Sequence, residues 1–481
     1  MLHLATAGDR RIKIILLRHP DLKLTNSKFL GRNFQKQSKM QFWLLNCLKY
    51  RIFGLMLSVL CRDLEYQDAR GKKVADNGDW ATEAVKMAGI YRHACVTIAA
   101  LSADSSKQGF LRMVMEDSPP TLLGRSHELS SVMQDTPHAK RGWTYQELLL
   151  STRILHFYEG WMIWECRSAK GLENTPMRDP TQAVLVEELR DVRHRSVPNS
   201  NQLNWWSWVH NYTSRALTHR SDRPAAFYGI IDHYSYRVKD ERMTGLWSQT
   251  LLQDLLWRAQ RPGSRIPAPS TTMPTWSWLS IDAQILAPAS VDPDHTSVVG
   301  TMVVRGYTSC IFIPAAKLIE IRDHFLSFTG EPDSWVGSST LVLQGKLQPA
   351  RVSRHNDSRY FLCVIEEGVE LEPQPCWMDC EAEIPSTGLV YCFFLGFAFA
   401  YPGMPQFAFR EVLVLVPTAD CSYHRIGVSR VHAEQLYADS EITRKGNIRG
   451  DGLVNISFAD FDAENAVKLG FLDDDVTIIL R

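Results

Sequence analysis

The apolar positions of this chain change character near residue 290. Before that point they recur mainly at helical spacing, with a few β-rich runs between; after it they form short strand-length runs set among Gly, Pro and Asp-rich turns. In the first part Asp79 suits an N-cap, and Trp80, Ala84, Met87 and Tyr91 follow at i, i+4, i+7 and i+11. That stripe predicts a helix packed on a sheet. The clean apolar run Ile52–Cys61 and the small-residue run Ala94–Ala100 each have the length of a buried strand. Strand, helix and strand in this order predict a βαβ unit and a parallel sheet. Arg153–Tyr158 and Trp161–Cys166 alternate on either side of Glu159 and Gly160, which predicts a hairpin.

Polar stretches divide the remainder. Residues 1–50 are basic and lack a period, 112–140 form a linker with Pro119, Pro120 and Pro137, and 171–200 are polar and interrupted by proline. Trp205, Trp208, Tyr212 and Ala216 then mark a helix over Leu203–Leu217, a second helix starts near Asp222, and a third is expected over Leu246–Trp257. Trp276 and Trp278 are two apart, as on one face of a strand, and read as core. Beyond 290, β-rich runs at 297–304, 339–344, 361–366, 389–399, 411–416, 426–428 and 476–480 predict an antiparallel β domain. The expected divisions are 1–50, 51–168, 169–290 and 291–481. The fold class is α/β, an incomplete parallel sheet flanked by helices, followed by a helical region and a C-terminal antiparallel β-rich domain.

Composition narrows the function. The 481 residues carry 53 basic and 53 acidic side chains, so no global field draws nucleic acid or an anionic membrane. The ten cysteines are scattered, mostly inside apolar runs, the pattern of reduced core thiols in a cytoplasmic protein. Cys376 and Cys380 form the one close pair and lack nearby histidines, so no metal site is expected. Basic residues interrupt the early apolar positions, and Asn46, Lys49 and Arg51 break the stretch 42–60, so neither a secretory leader nor a membrane span is expected. Phosphate-loop, dinucleotide, zincin and Gly-x-Ser-x-Gly signatures are absent.

The chemistry concentrates at Arg141-Gly142-Trp143-Thr144-Tyr145-Gln146-Glu147-Leu148. From Trp143 to Leu150 there is no Gly or Pro, so a short helix is expected, with Trp143 and Glu147 one turn apart on one face. Pattern alone favours an amphipathic helix with Trp143 in a core and Glu147 in a solvated ion pair. Beside apolar surface, the carboxyl either rises in pKa through desolvation or pairs with Arg141 or Arg153. His93, His138 and His156 read as satisfied structural histidines.

This block, with Leu150-Ser151, Arg153 and Trp164-Glu165-Cys166 after it, resembles the fungal heterokaryon incompatibility (HET) domain. So does Asp79 through Ala100, while the Ser221-Asp222-Arg223-Pro224-Ala225 segment and Pro274-Thr275-Trp276-Ser277-Trp278 resemble segments that follow HET domains. The resemblance departs at the N-terminus, where the first strand of the family is not found and Ser58 stands where the family carries an aspartate. HET domains are similar in turn to TIR domains, which implies a TIR-like sheet. In the NAD-cleaving TIR branch a Trp-x-x-x-Glu-Leu helix carries the essential glutamate. The resemblance therefore implies Glu147 as the catalytic carboxylate, Trp143 and Arg141 as substrate-binding residues, NAD as substrate rather than cofactor, and protein partners or self-association. A catalytically silent HET relative serving protein contacts is the alternative.

Overall fold

A computed structural model describes residues 65–67, 73–75, 78–94, 96–102, 135–158, 161–166, 169–172, 200–266, 273–288, 311–328, 335–355, 359–366, 368–399, 408–432 and 475–481. These fall into two units, one drawn from Met1–Ser196, Arg215–His233 and Gly330–Pro332, the other from Val197–Ser214, Tyr234–Thr329 and Asp333–Arg481. The expected strand at 52–61, the N-terminal segment 1–50 and the run at 297–304 lie outside the described residues.

In the first unit the apolar stripe forms helix α1 (Gly78–His93), which starts one residue before the expected cap Asp79. A small pair, β1 (Glu65–Gln67) with β2 (Lys73–Ala75), precedes it. The small-residue run becomes β3 (Thr97–Ala100), helix α2 is Gly142–Leu150, and β4 (Arg153–Tyr158), β5 (Trp161–Cys166) and β6 (Ala169–Leu172) follow. The sheet runs β3-β4-β5-β6. Among the described residues only its first pair is parallel, β3 with β4, so the described part of the expected parallel sheet is mixed. The reason is local. Helix α2 gives the chain length to return parallel, whereas two-residue spacing between β4 and β5 permits only an antiparallel hairpin. The observed βαβ unit is therefore β3–α2–β4.

The two faces of this sheet carry different residues. Leu155, Phe157 and Met162 pack with Val96, Ile98 and Trp164 on one side. Ala99, Leu101 and Ile154 pack with Leu148 of α2 on the other. Helix α2 thus covers the second face, and the period-2 alternation of β4 decides which side chains it meets.

The second unit begins with α3 (Ser200–Thr213) and includes the end of α4 (Arg223–Val238). Trp205 and Trp208 are core, as their spacing implied, with Trp205 5.0 Å from Tyr234 and 4.9 Å from Trp247 between ring centres. The helix stops at Thr213, short of the expected Leu217. The helix expected over Leu246–Trp257 is shortened at both ends. Thr244 and Gly245 take positive φ of 47° and 90°, a turn that pairs β7 (Arg242–Met243) with β8 (Leu246–Trp247), after which a 3-10 turn over Ser248–Thr250 leads into α5 (Leu251–Asp254). Two more short pairs follow, β9 (Arg258–Ala259) with β12 (Ile285–Leu286) and β10 (Ser264–Arg265) with β11 (Ile281–Asp282). Trp276 and Trp278 are fully buried but not in a strand. Ser277 N–H bonds back to the Pro274 carbonyl and a 3-10 turn runs over Trp278–Ser280.

The β-rich part is an 11-stranded sheet of β13 (Ile311–Pro314), β14 (Lys317–Phe328), β15 (Trp335–Gly345), β16 (Leu347–Arg354), β17 (Tyr360–Glu366), β18 (Val369–Glu370), β19 (Gln374–Met378), β20 (Leu389–Phe399), β21 (Ala408–Pro417), β22 (Tyr423–His432) and β23 (Val476–Leu480). Six of them close on themselves, in the order β16-β17-β19-β22-β21-β20 and back to β16, every pair antiparallel. Val352, Leu362, Val390, Phe394, Val414 and Ile426 are among the side chains filling this barrel. Full closure removes the sheet edges that would otherwise be left unpaired. No helix among the described residues is long and apolar enough to cross a membrane.

Candidate active site

Helix α2 starts without a side-chain cap. Arg141 is extended at φ −96°, ψ 133°. The first free N–H of the helix is met from elsewhere, Gly142 N donating to the Ala216 carbonyl at 2.8 Å, and Ala216 N donates in return to the Lys140 carbonyl at 2.8 Å. Thr144 Oγ1 lies 2.6 Å from the His138 carbonyl and 2.7 Å from that of Arg141, fixing the turn before the helix. At the other end Ser151 turns extended, and its hydroxyl donates to the Glu147 carbonyl at 2.7 Å while meeting Thr97 Oγ1 at 2.6 Å.

Positions 143, 147 and 150 of this helix turn toward α1. Trp143 packs with Met87, Tyr91 and Leu150, and the Tyr91 hydroxyl donates to the Glu147 carboxylate. Glu147 is only 5% exposed. Burial raises its pKa from 4.5 to about 7, an effect that the Arg141 charge and the Tyr91 hydrogen bond offset only in part. The same burial, reinforced by Glu147, pushes the Tyr91 phenol up, so Tyr91 stays a neutral donor. The solvated ion pair expected from the helix pattern is therefore absent. Trp143 is the half-buried member and Glu147 the buried one, while Arg153 is exposed and Arg141 is the arginine whose charge bears on Glu147. The carboxyl does rise through desolvation, as the alternative reading had it. The Trp143 indole N–H donates to Asp222 Oδ2 at 3.1 Å.

Beneath α2, the sheet face carries a second polar pair. His156 Nε2 and Glu165 Oε2 are 2.8 Å apart, at 1% and 3% exposure. His156 lies opposite Ile163 and Glu165 opposite Ile154, so both point to the face that Leu148 covers. His138 differs from the expectation of a satisfied histidine. It is fully buried, neither ring nitrogen has a hydrogen-bond partner among the described residues, and burial, then Arg215, His156 and Arg141, drive its pKa well below the usual value. It is therefore neutral. His93 is exposed and meets the Gly89 carbonyl through Nδ1 at 2.7 Å, while His156 is satisfied by Glu165.

Of the three residues singled out from sequence, Trp143 and Glu147 lie on α2 and Arg141 is the extended residue just before it. Two partners were missed. Tyr91 was visible as the last member of the α1 stripe, where a hydroxyl ends an otherwise apolar face. Asp222 was read as a helix-start residue, and nothing in its neighbours shows that it would reach an indole 79 positions earlier. Among the described residues, no cluster of three or more His, Cys, Asp and Glu could hold a metal ion.

A buried carboxylate beneath a tyrosine, on a helix between two parallel strands, defines an α/β domain with a candidate acid-base centre. Residues 73–147 match the family model of the heterokaryon incompatibility protein (HET). The segment from β2 to Glu147 is thus similar to the HET family, and the match closes on Glu147 itself. No curated protein and no solved structure matches the chain significantly.

Proposed function

We propose that this chain is a HET-domain protein of fungal non-self recognition, acting in the cytoplasm to trigger regulated cell death, and that its HET segment cleaves NAD⁺ through Glu147. The observation that supports the chemistry is the desolvated Glu147 carboxyl with a pKa of about 7, held by a neutral tyrosine. In the reaction the bond between ribose C1′ and the nicotinamide nitrogen breaks, and nicotinamide leaves with the electron pair. Positive charge develops on the ribosyl centre, where an ionised carboxylate in a low-dielectric site stabilises it. Water then adds to C1′ and loses its proton, giving ADP-ribose. A group titrating near 7 is ionised in a large fraction of molecules at cellular pH and still basic enough to take that proton. Trp143 supplies an apolar wall and Arg141 a cation for the pyrophosphate.

The low exposure of Glu147 favours a second reading, in which the Tyr91–Glu147 bond only locks α1 to α2 and the domain serves protein contacts. Nicotinamide release from NAD⁺ separates the two. The purified chain, at high protein concentration to allow self-association, is expected to turn over NAD⁺, and Glu147→Gln to lose roughly a hundredfold or more. Release by neither protein sinks the enzymatic reading and leaves the interaction module. Toxicity on expression should vanish with the same substitution.

A further inference from the structure

The HET-family match ends at residue 147, yet the helix that carries Glu147 is held by a segment far beyond it. Each residue from Gly142 to Gln146 is fastened to the stretch Arg215–His233. Gly142 N donates to the Ala216 carbonyl at 2.8 Å, and the Trp143 indole to Asp222 Oδ2 at 3.1 Å. Thr144 Oγ1 accepts from Arg215 Nη1 at 3.3 Å. Tyr145 lies under the Arg215 guanidinium, 4.5 Å from ring centre, and is parallel to Phe227 at 6.5 Å. Gln146 Oε1 accepts from Gly229 N at 2.9 Å. Gly229 permits this approach, since a Cβ there would sit 2.8 Å from Gln146 Oε1 and 2.5 Å from Ala88. The same stretch also reaches α1, where Arg92 Nη2 and His233 Nδ1 are 3.3 Å apart.

We propose that Arg215–His233 is a working part of the site, and that Asp222 is a positioning residue which fixes the Trp143 indole and, through it, the seat of Glu147. The inference rests on the NAD⁺-cleaving reading for its kinetic consequence and on the contacts alone for its structural one. Helix α2 is nine residues long and uncapped by its own side chains, so little in its sequence sets its rotation. Rotation of one residue would carry the carboxyl about 100° around the axis, away from Tyr91. The hydrogen bond from Trp143 to Asp222 acts one turn before Glu147 on the same face, where it resists that motion. Reactive geometry is sensitive to small displacement of this kind.

The test uses the full chain and two readouts. Asp222→Ala is expected to lower kcat for nicotinamide release by roughly tenfold to a hundredfold with KM within about twofold. Amide hydrogen exchange in a peptide spanning 141–150 should speed up about tenfold, while peptides of β20 and β21 stay unchanged. Asp222→Asn keeps an oxygen acceptor for the indole and should restore both readouts. In a Trp143→Phe background, which lacks the donor, Asp222→Ala should add nothing further. Unchanged exchange in Asp222→Ala, an Asn variant as impaired as the Ala variant, or effects of Trp143→Phe and Asp222→Ala that multiply would each overturn the proposal. If the wild-type chain releases no nicotinamide, the exchange measurements still decide it, so the two readings fail separately.

Discussion

The two units bury carboxylates in different company. In the β-rich unit Asp379 is wholly buried beside Arg425, with Nε and Oδ2 3.0 Å apart and Nη2 and Oδ1 3.1 Å apart. Arg425 also donates to the Leu255 and Trp257 carbonyls and lies 3.5 Å from the Trp257 ring centre. Asp254 in the same unit accepts from Gln202, Trp206 and Thr250. Its pKa rises to about 6, but its oxygens are occupied by donors from three directions. In the α/β unit, the hydrogen-bond partner of the Glu147 carboxyl among the described residues is one tyrosine, and His138 has none. Burial alone therefore does not mark a site. What separates Glu147 from Asp254 among the described residues is how few of its lone pairs are already used.

The largest test of this contrast lies in the β-rich unit. Asp379→Ala leaves the Arg425 guanidinium buried without its counter-charge, and should lose about 3–5 kcal/mol in urea denaturation. A loss below about 1 kcal/mol would mean that the carbonyls and Trp257 satisfy Arg425 unaided. Glu147→Gln should do the opposite. Because the native carboxyl binds its proton up to about pH 7 and the unfolded one only to about 4.5, wild-type stability falls as pH rises between those values and is level above. The Gln variant should match wild type near pH 4.5 and exceed it by about 3 kcal/mol at pH 8, the direction expected where an active group is kept at the expense of stability. Parallel pH profiles for the two proteins would remove Glu147 from the contrast. The smallest effect concerns His138. With its pKa lowered from 6.5, the unfolded chain takes up the proton first, so this side chain withdraws stability as pH falls below 6.5. His138→Leu should be within about 1 kcal/mol of wild type at pH 8 and gain on it steadily below 6.5. Thermal melts across that range would show whether the two curves diverge.

Local pattern made much of this architecture legible. The run 389–399 and the run 476–480 became β20 and β23 with the same bounds, and the β4–β5 hairpin follows its alternation. The failures come from contacts that pattern does not encode. Leu246–Trp257 has helical spacing, but the Thr244–Gly245 turn before it sends the chain into a hairpin, where the Gly245 carbonyl takes the Trp278 indole N–H at 2.7 Å. Trp276 and Trp278 are two apart in sequence, which looks like a strand, yet both are set by a turn begun at Pro274. Barrel closure depends on β16 meeting β20, a register invisible in either strand alone. In the site, the Trp143–Glu147 spacing was legible, but the partners were not, because Glu147 meets Tyr91 from another helix and Trp143 meets Asp222 from a third segment.

Strand β23 lies against both β15 and β22, joining the β14–β15 hairpin to the barrel, with Tyr423 opposite Leu480 on the barrel side. It is also the last of these strands to be synthesised. The six barrel strands emerge from the ribosome in one continuous block and can close among themselves, but the β14–β15 hairpin must wait with an open edge until β23 arrives. A nascent chain stalled before residue 476 would leave that edge open, ready to pair with any other extended chain.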